Sequence, residues 1–294
     1  MKEKAISIRE AAGMIRSGCS LAIGSAGGRR QPMALIHEII RNRITDLDVI
    51  APSSRVSVDM LIGAGCIRRV DFMYIGMERH GLAPNFRRAA QEGRIQTQDW
   101  SESSMINRFR AAAYGLPFMP STALLGTSMA EHLDGIREIN CPFSDRKLHA
   151  VAPATTDFTI IHGYTGDKYG NVQWPAIRDT DHLDREIAQA ATNLIVSVEK
   201  IVDYSIVQRN PWATWIPGRW VRAIVEAPFG GHPGPCDGFY EADEDHMRLY
   251  AESARDPSAF QQYLERFVYG PSDHWEYLER VGGLEKLWRL RVSG

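Results

Sequence analysis

The sequence predicts an α/β protein: an open, mainly parallel sheet with helices on both faces, followed by a C-terminal helical extension. Two features carry this expectation. Short apolar runs alternate with helix-period stretches through residues 1–244, the pattern of parallel strands joined by crossover helices. Beyond residue 244 the helical patterns continue with no strand between them. Residues 245–294 therefore read as an appendage, packed on the same domain or on a partner. No linker rich in Pro, Gly or Ser divides the chain, and no 20–50-residue repeat is visible.

Ser7-Ile8-Arg9-Glu10 has the form of a capping box, with Ser7 accepting from a first-turn amide while Glu10 reaches back. Its helix is expected to run to about Gly18. Leu21-Ala22-Ile23 reads as a short buried strand that meets the loop Gly24-Ser25-Ala26-Gly27-Gly28-Arg29-Arg30-Gln31. Pro32 stands where a first helical residue belongs, and Ala34, Leu35, Ile36, Ile39 and Ile40 give the next helix its apolar side. Residues 47–51 form a second strand, followed by the loop Pro52-Ser53-Ser54-Arg55 and a helix around 60–65 closed by glycine. Residues 70–75 supply a third strand. Helices follow near 83–93 and 102–115, then strands near 157–162, 193–198 and 222–226, with a helix near 183–191. The tail shows helical patterns at 245–255, 258–268 and 273–281.

Composition narrows the function classes. The 294 residues carry 34 Lys+Arg against 36 Asp+Glu, a net charge of −2, with 44% hydrophobic residues. A chain of this size buries roughly 75% of its unfolded surface and needs no metal or disulfide staple. The balanced charge argues against nucleic acid as the main partner. Cys19, Cys66, Cys141 and Cys236 are far apart and form no Cys-x-x-Cys pair, so neither a structural zinc nor a secreted disulfide scaffold is indicated. The N-terminus lacks the apolar stretch of a signal peptide, and no apolar run approaches the roughly 18 residues of a membrane span. The expectation is a cytoplasmic protein with no membrane partner.

The first strand, its glycine loop and the following helix are the clearest place for chemistry. In open α/β sheets ligands bind beyond the carboxyl ends of strands, and glycines let backbone amides approach an anion. The helix start at Pro32 adds dipole attraction for negative charge, and Arg29 and Arg30 offer guanidinium donors for a carboxylate or phosphate. The competing reading is a tight turn with two solvated arginines. The loop is neither a P-loop nor Gly-x-Gly-x-x-Gly, and Gly63-Ala64-Gly65 also fails the dinucleotide pattern.

Glu102 opens a helix after Asp99-Trp100-Ser101. There it either complements the dipole, for about 0.3–1 kcal/mol, or serves as a general base or nucleophile with serine neighbours as partners. His162, His182 and His232 are scattered, and the Pro233-Gly234-Pro235 between His232 and Cys236 points to a rigid loop, not a metal site. No Gly-x-Ser-x-Gly elbow occurs. Trp212, Trp215 and Trp220 read as internal packing or an intersubunit contact.

Taken in order, these segments resemble the alpha subunit of a family I coenzyme A transferase, particularly the glutaconate CoA-transferase kind. The family's strand into Gly-Gly-Phe and a loop ending in proline is represented by residues 21–32, with Ser25 and Ala26 in place of the second glycine and the aromatic. Further likeness lies in Asp59-Met60-Leu61-Ile62-Gly63-Ala64-Gly65, Ala111-Ala112-Ala113-Tyr114-Gly115-Leu116-Pro117-Phe118-Met119-Pro120 and Ala227-Pro228-Phe229-Gly230-Gly231-His232-Pro233. The resemblance runs from about residue 5 to 290.

The resemblance implies an open α/β sheet and active sites between alpha and beta subunits, in a heterodimer or α2β2 assembly. It implies ping-pong chemistry with a coenzyme A thioester as substrate and no permanently bound cofactor. A glutamate attacks the acyl-CoA, giving an anhydride and then a glutamyl-CoA thioester, before CoA passes to a second carboxylic acid. That glutamate stands in a Glu-x-Gly motif of the beta subunit, and Glu226-Ala227-Pro228 does not fit it, so the nucleophile is expected on a partner chain. Gly27, Gly28, Arg29 and Arg30, with Ser53, Ser54 and Arg55 beyond the second strand, are then expected to bind substrate. The arginines point toward a dicarboxylic monothioester.

A related branch, the steroid ring-cleaving CoA-thioester hydrolases, uses a glutamate of its alpha chain to activate water, and Glu102 aligns with it. Thr122 falls where that branch carries a supporting arginine. Hydrolysis of a cyclic or beta-keto acyl-CoA is the second reading, and a non-catalytic binding subunit the third.

Overall fold

The structure is a computed structural model that describes residues 1–24, 26–175 and 181–292. Its strands are β1 (Ser20–Ile23), β2 (Leu47–Ser54), β3 (Ile67–Ile75), β4 (Gln96–Asp99), β5 (Met119–Ser121), β6 (Ile136–Asn140), β7 (Lys147–Val151), β8 (Phe158–Asp167), β9 (Val172–Gln173), β10 (Leu194–Val202), β11 (Thr214–Ile216) and β12 (Val221–Glu226). Its helices are α1 (Ile8–Ala12), α2 (Met33–Arg41), α3 (Val56–Gly63), α4 (Pro84–Gln91), α5 (Glu102–Ala113), α6 (Asp181–Ala190), α7 (Tyr204–Arg209), α8 (Glu244–Ser253), α9 (Pro257–Leu264), α10 (His274–Arg280) and α11 (Gly283–Leu290).

Strands β12, β10, β8, β1, β2, β3 and β4 lie side by side in that order, and every pair is parallel. The short β9 and β11 add an antiparallel edge, and β5, β7 and β6 make a separate small antiparallel sheet. The predicted α/β class is the observed one. The minor antiparallel strands went unpredicted because each is too short for a period-2 pattern to register.

Two hydrophobic clusters cover the faces of the large sheet. One joins α2 and α3 to the C-terminal helices through Leu35, Ile39, Leu61, Tyr250, Phe260 and Phe267. The other packs α5 and α6 against the sheet through Met105, Phe109, Ile187 and Trp174. Residues 245–292 thus share a core with α2 and α3. A buried polar tether reinforces the contact: Asp59 of α3 accepts from the Tyr250 hydroxyl at 2.7 Å, the Asn85 amide at 3.1 Å and the Phe86 N–H at 2.8 Å. Burial pushes the Asp59 carboxyl up to about 6. Among the described residues no helix is long and apolar enough to cross a membrane.

The Ser7 capping box forms as expected, but α1 ends at Ala12 instead of running to Gly18. The second strand is longer than predicted. Pro52, Ser53 and Ser54 belong to β2 and not to a loop, with Ser53 opposite Tyr74 and Ser54 opposite Ile75. Pro52 is tolerated there because β1 pairs with β2 only through Asp48–Ile50, leaving that edge of β2 open. Strand β1 is therefore a short strand between two long ones, and its carboxyl end lies at the floor of a crevice.

Candidate functional site

That crevice is the switch point of the sheet. From β1 the chain crosses to β2 on one side, while β8 crosses through α6 to β10 on the other, and ligands of open α/β sheets bind where the winding reverses. A cavity of about 280 Å3 occupies it. Gly27 enters from the loop after β1, Ser53 from the overhang of β2 and Met73 from β3. Glu102, Ile106 and Arg110 line one wall from α5, and their i, i+4, i+8 spacing puts them on one helix face. His182, Leu183 and Glu186 of α6 form the opposite wall. Arg110 Nε donates to Glu186 at 2.9 Å and closes the cavity between the two helices.

The loop owes its shape to left-handed backbone. Gly27 and Gly28 have φ of 57° and 75°, values that favour glycine. A Cβ on Gly28 would stand 2.4 Å from Arg55 Nε, so the loop lies directly against that guanidinium. Arg55 donates to the Gly27 carbonyl at 3.3 Å and pairs with Glu78. Arg30, also left-handed at φ 52°, is 1% exposed. Its guanidinium lies 2.9 Å from Asp184, donates to the His162 carbonyl at 3.1 Å and sits over the rings of Tyr164 and Trp174. Arg29 pairs with Asp237 near the surface.

The predicted site residues therefore divide. Gly27, Ser53 and Glu102, far apart in sequence, line one cavity. Gly28 and Arg55 support its loop. Arg30 is a buried strut between the loop and α6. Ser54 is buried too, accepting from Val58 N at 3.1 Å and sharing a hydrogen bond with Ser57 at 2.9 Å, so it holds the start of α3. Ser101 caps α5 and donates to Ser104 at 2.9 Å, so these serines bond to each other. Sequence reasoning missed Met73, Ile106 and His182 as cavity residues. The spacing of Ile106 from Glu102 was the signal that could have found it, whereas Met73 required the strand register.

Other concave or polar groups lie elsewhere. A hollow of about 620 Å3 involving Cys19, Asp157 and Asn193 sits at the amino ends of β1, β8 and β10, the end opposite to where such sheets bind ligands. Two buried groups bring possible metal ligands within 4.8 Å of one another: His162, Glu199 and Cys236, and His232, Asp243 and His246. In the first, His162 is bonded to Ser197 at 2.9 Å and Glu199 at 2.7 Å, and Tyr240 donates to Glu199 at 2.9 Å. In the second, His232 is bonded to Tyr277 at 2.6 Å and Asp243 at 3.0 Å, and Lys286 pairs with Asp243 at 2.5 Å. Both serve as internal polar networks. Of the tryptophans, Trp212 is exposed, while Trp215 packs against His182 and the Arg185 guanidinium beside the cavity.

The fold and this crevice define a member of the coenzyme A transferase family: its family model matches residues 5–227, and the chain belongs to that family. One of the two kinds of chain of glutaconate CoA-transferase from Acidaminococcus fermentans is 30% identical over 98% of this chain and 95% of its own length. The solved structure of that glutaconate CoA-transferase superposes with a TM-score of 0.93, covering 99% of this chain and 96% of the other at 29% identity. The IpdA component of a cholesterol ring-cleaving hydrolase from Rhodococcus jostii is 31% identical over 94% of this chain and 95% of its own. An uncharacterized protein of Archaeoglobus fulgidus is 37% identical over 99% of this chain, and the chain spans 65% of that relative's length.

Proposed function

We propose that this chain is the alpha subunit of a heteromeric CoA-transferase that moves CoA between an acyl-CoA and a carboxylic acid, through a glutamate on a beta subunit. One observation carries this reading: Gly27, Ser53 and Glu102 meet in a cavity at the sheet's switch point. The glutamate carboxylate attacks the thioester carbonyl, forming an acyl-glutamyl anhydride and releasing CoA thiolate. The thiolate then attacks the glutamyl carbonyl, giving glutamyl-CoA and the free acid. The acceptor carboxylate reverses both steps and regenerates the glutamate. The alpha subunit contributes the acyl cavity and a loop of fixed backbone, which positions the reacting carbonyl. The thioester is the substrate, no permanent cofactor is required, and the compartment is the cytoplasm.

The exposed Glu102 carboxylate on the cavity wall favours one second reading, a hydrolase in which Glu102 takes a proton from water during cleavage of a cyclic or beta-keto acyl-CoA. One experiment separates the two. The complex with a beta subunit is incubated with acyl-CoA alone and treated with hydroxylamine or borohydride. Trapping at a glutamate of the beta chain, with Glu102→Gln retaining most of the turnover, supports the transferase. No trapped carboxylate in an active complex, with turnover lost in Glu102→Gln, supports the hydrolase. No thermal stabilisation by a broad panel of CoA esters would mark a non-catalytic subunit.

A further inference from the structure

The walls of the cavity beyond β1 say which acyl group it suits. Met73 of β3, Ile106 of α5 and Leu183 of α6 supply hydrocarbon from three separate elements. Its volume of about 280 Å3 falls just under the roughly 300–1,000 Å3 of pockets that enclose whole drug-sized ligands. It has room for the acyl end of a thioester and not for the CoA carrier.

The charges around it are already arranged. Glu102 presents an exposed carboxylate on the α5 wall, and Arg110 is bonded to Glu186 at 2.9 Å. The arginines of the loop and the second strand also face acids: Arg29 faces Asp237, Arg30 lies 2.9 Å from Asp184 and Arg55 pairs with Glu78. A distal carboxylate on the acyl group would enter among hydrocarbon walls, beside Glu102, and would gain Arg110 only by displacing Glu186. Burying a charge without a partner is unfavourable, and like charges at close range add to that. An alkyl or alicyclic chain instead gains by leaving water against the three apolar walls.

We propose that the cavity takes a short uncharged aliphatic acyl group, linear, branched or alicyclic, in preference to a dicarboxylic monothioester of the same length, and that Met73, Ile106 and Leu183 set this preference. The inference rests on the cavity being the acyl site of the proposed function. It reverses the expectation drawn from Arg29 and Arg30, whose guanidiniums are engaged with acids of the chain itself.

Pentanoyl-CoA and glutaryl-CoA test it, because they share a five-carbon acyl chain and differ by one terminal carboxylate. The complex of this chain with its beta partner is assayed with each donor and acetate as common acceptor, and its thermal stabilisation by each thioester is measured in parallel. The expected result is a kcat/KM at least tenfold higher for pentanoyl-CoA and a larger rise in Tm with it. Ile106→Lys, which sets a cation on the wall, is expected to narrow that ratio at least tenfold, while Ile106→Gln, uncharged and similar in length, narrows it less. Equal or greater preference for glutaryl-CoA in the unsubstituted complex, by rate or by Tm, overturns the proposal and leaves the transferase reading standing. A complex that pentanoyl-CoA stabilises more but that transfers CoA from neither donor supports the cavity's preference and counts against the transferase reading.

Discussion

Arg30 and Asp184 form a fully buried ion pair, 2.9 Å apart, that ties the loop after β1 to helix α6. These two segments are the floor and one wall of the candidate acyl cavity, so the pair fixes the width of the crevice. Removing one partner of a buried pair leaves a charge in a low-dielectric interior, at a cost of about 3–5 kcal/mol. Arg30→Ala is expected to destabilise by that amount, read as a lower urea midpoint. The double substitution Arg30→Met, Asp184→Leu is expected to recover most of it.

Arg29, its neighbour, is predicted to behave oppositely. Its pair with Asp237 is partly exposed on both sides, and such pairs contribute about 0–1 kcal/mol. Arg29→Ala is expected to shift the same urea midpoint by less than about 1 kcal/mol equivalent. A loss as large as that of Arg30→Ala would contradict the assignment of the two roles.

Gly28→Ala strains the loop twice, because φ is 75° and the added Cβ meets the Arg55 side chain. The expected cost is about 1–3 kcal/mol in stability. Displacing the loop by even a fraction of an ångström is also expected to lower kcat/KM of the complex about tenfold or more. Denaturation curves and steady-state kinetics check the two parts separately.

Four buried histidines make stability depend on pH. Burial holds His37 well below the ordinary imidazole range, lowers His232, and takes His246 to about 3 and His274 to about 4. In the native protein they stay neutral while the unfolded chain takes up protons near pH 6.5. Their stabilising contribution is thus complete above about pH 6.5 and falls as pH drops toward 4, by about 1.4 kcal/mol per pH unit for each histidine. Urea unfolding at pH 7.5, 6.0 and 5.0 is expected to show a steepening loss. His246→Phe is expected to reduce the slope.

Asp59 acts in the other direction. Its carboxyl, raised to about 6, is ionised above that pH and accepts a charge-assisted hydrogen bond from Tyr250. Tyr250→Phe is expected to cost about 1.5–3 kcal/mol at pH 8, and less at pH 5, where Asp59 holds a proton. Comparing the variant with the unsubstituted protein at the two pH values tests this.

Local chemistry made much of the architecture readable in advance. The capping box at Ser7, the apolar side of α2 and the alternation of strand and helix depend on residues within a few positions of one another, and propensity and periodicity act over that range. The limits of α1 and β2 were less readable, because Pro52, Ser53 and Ser54 extend the strand through pairing with β3. The spacing of Glu102 from Ile106 placed both on one helix face before any contact was known.

The sequence by itself determined the α/β class, the helical tail, the family resemblance, and Gly27, Ser53 and Glu102 as candidates. Only the tertiary structure decided which charges were available to a ligand. Arg29 and Arg30 are adjacent in the chain and alike in chemistry, yet one is a partly exposed pair and the other a buried strut. The difference comes from Asp184 and the rings of Tyr164 and Trp174, more than 130 residues away. Desolvation and ion pairing are settled by such distant neighbours, so no local pattern could have told the two arginines apart.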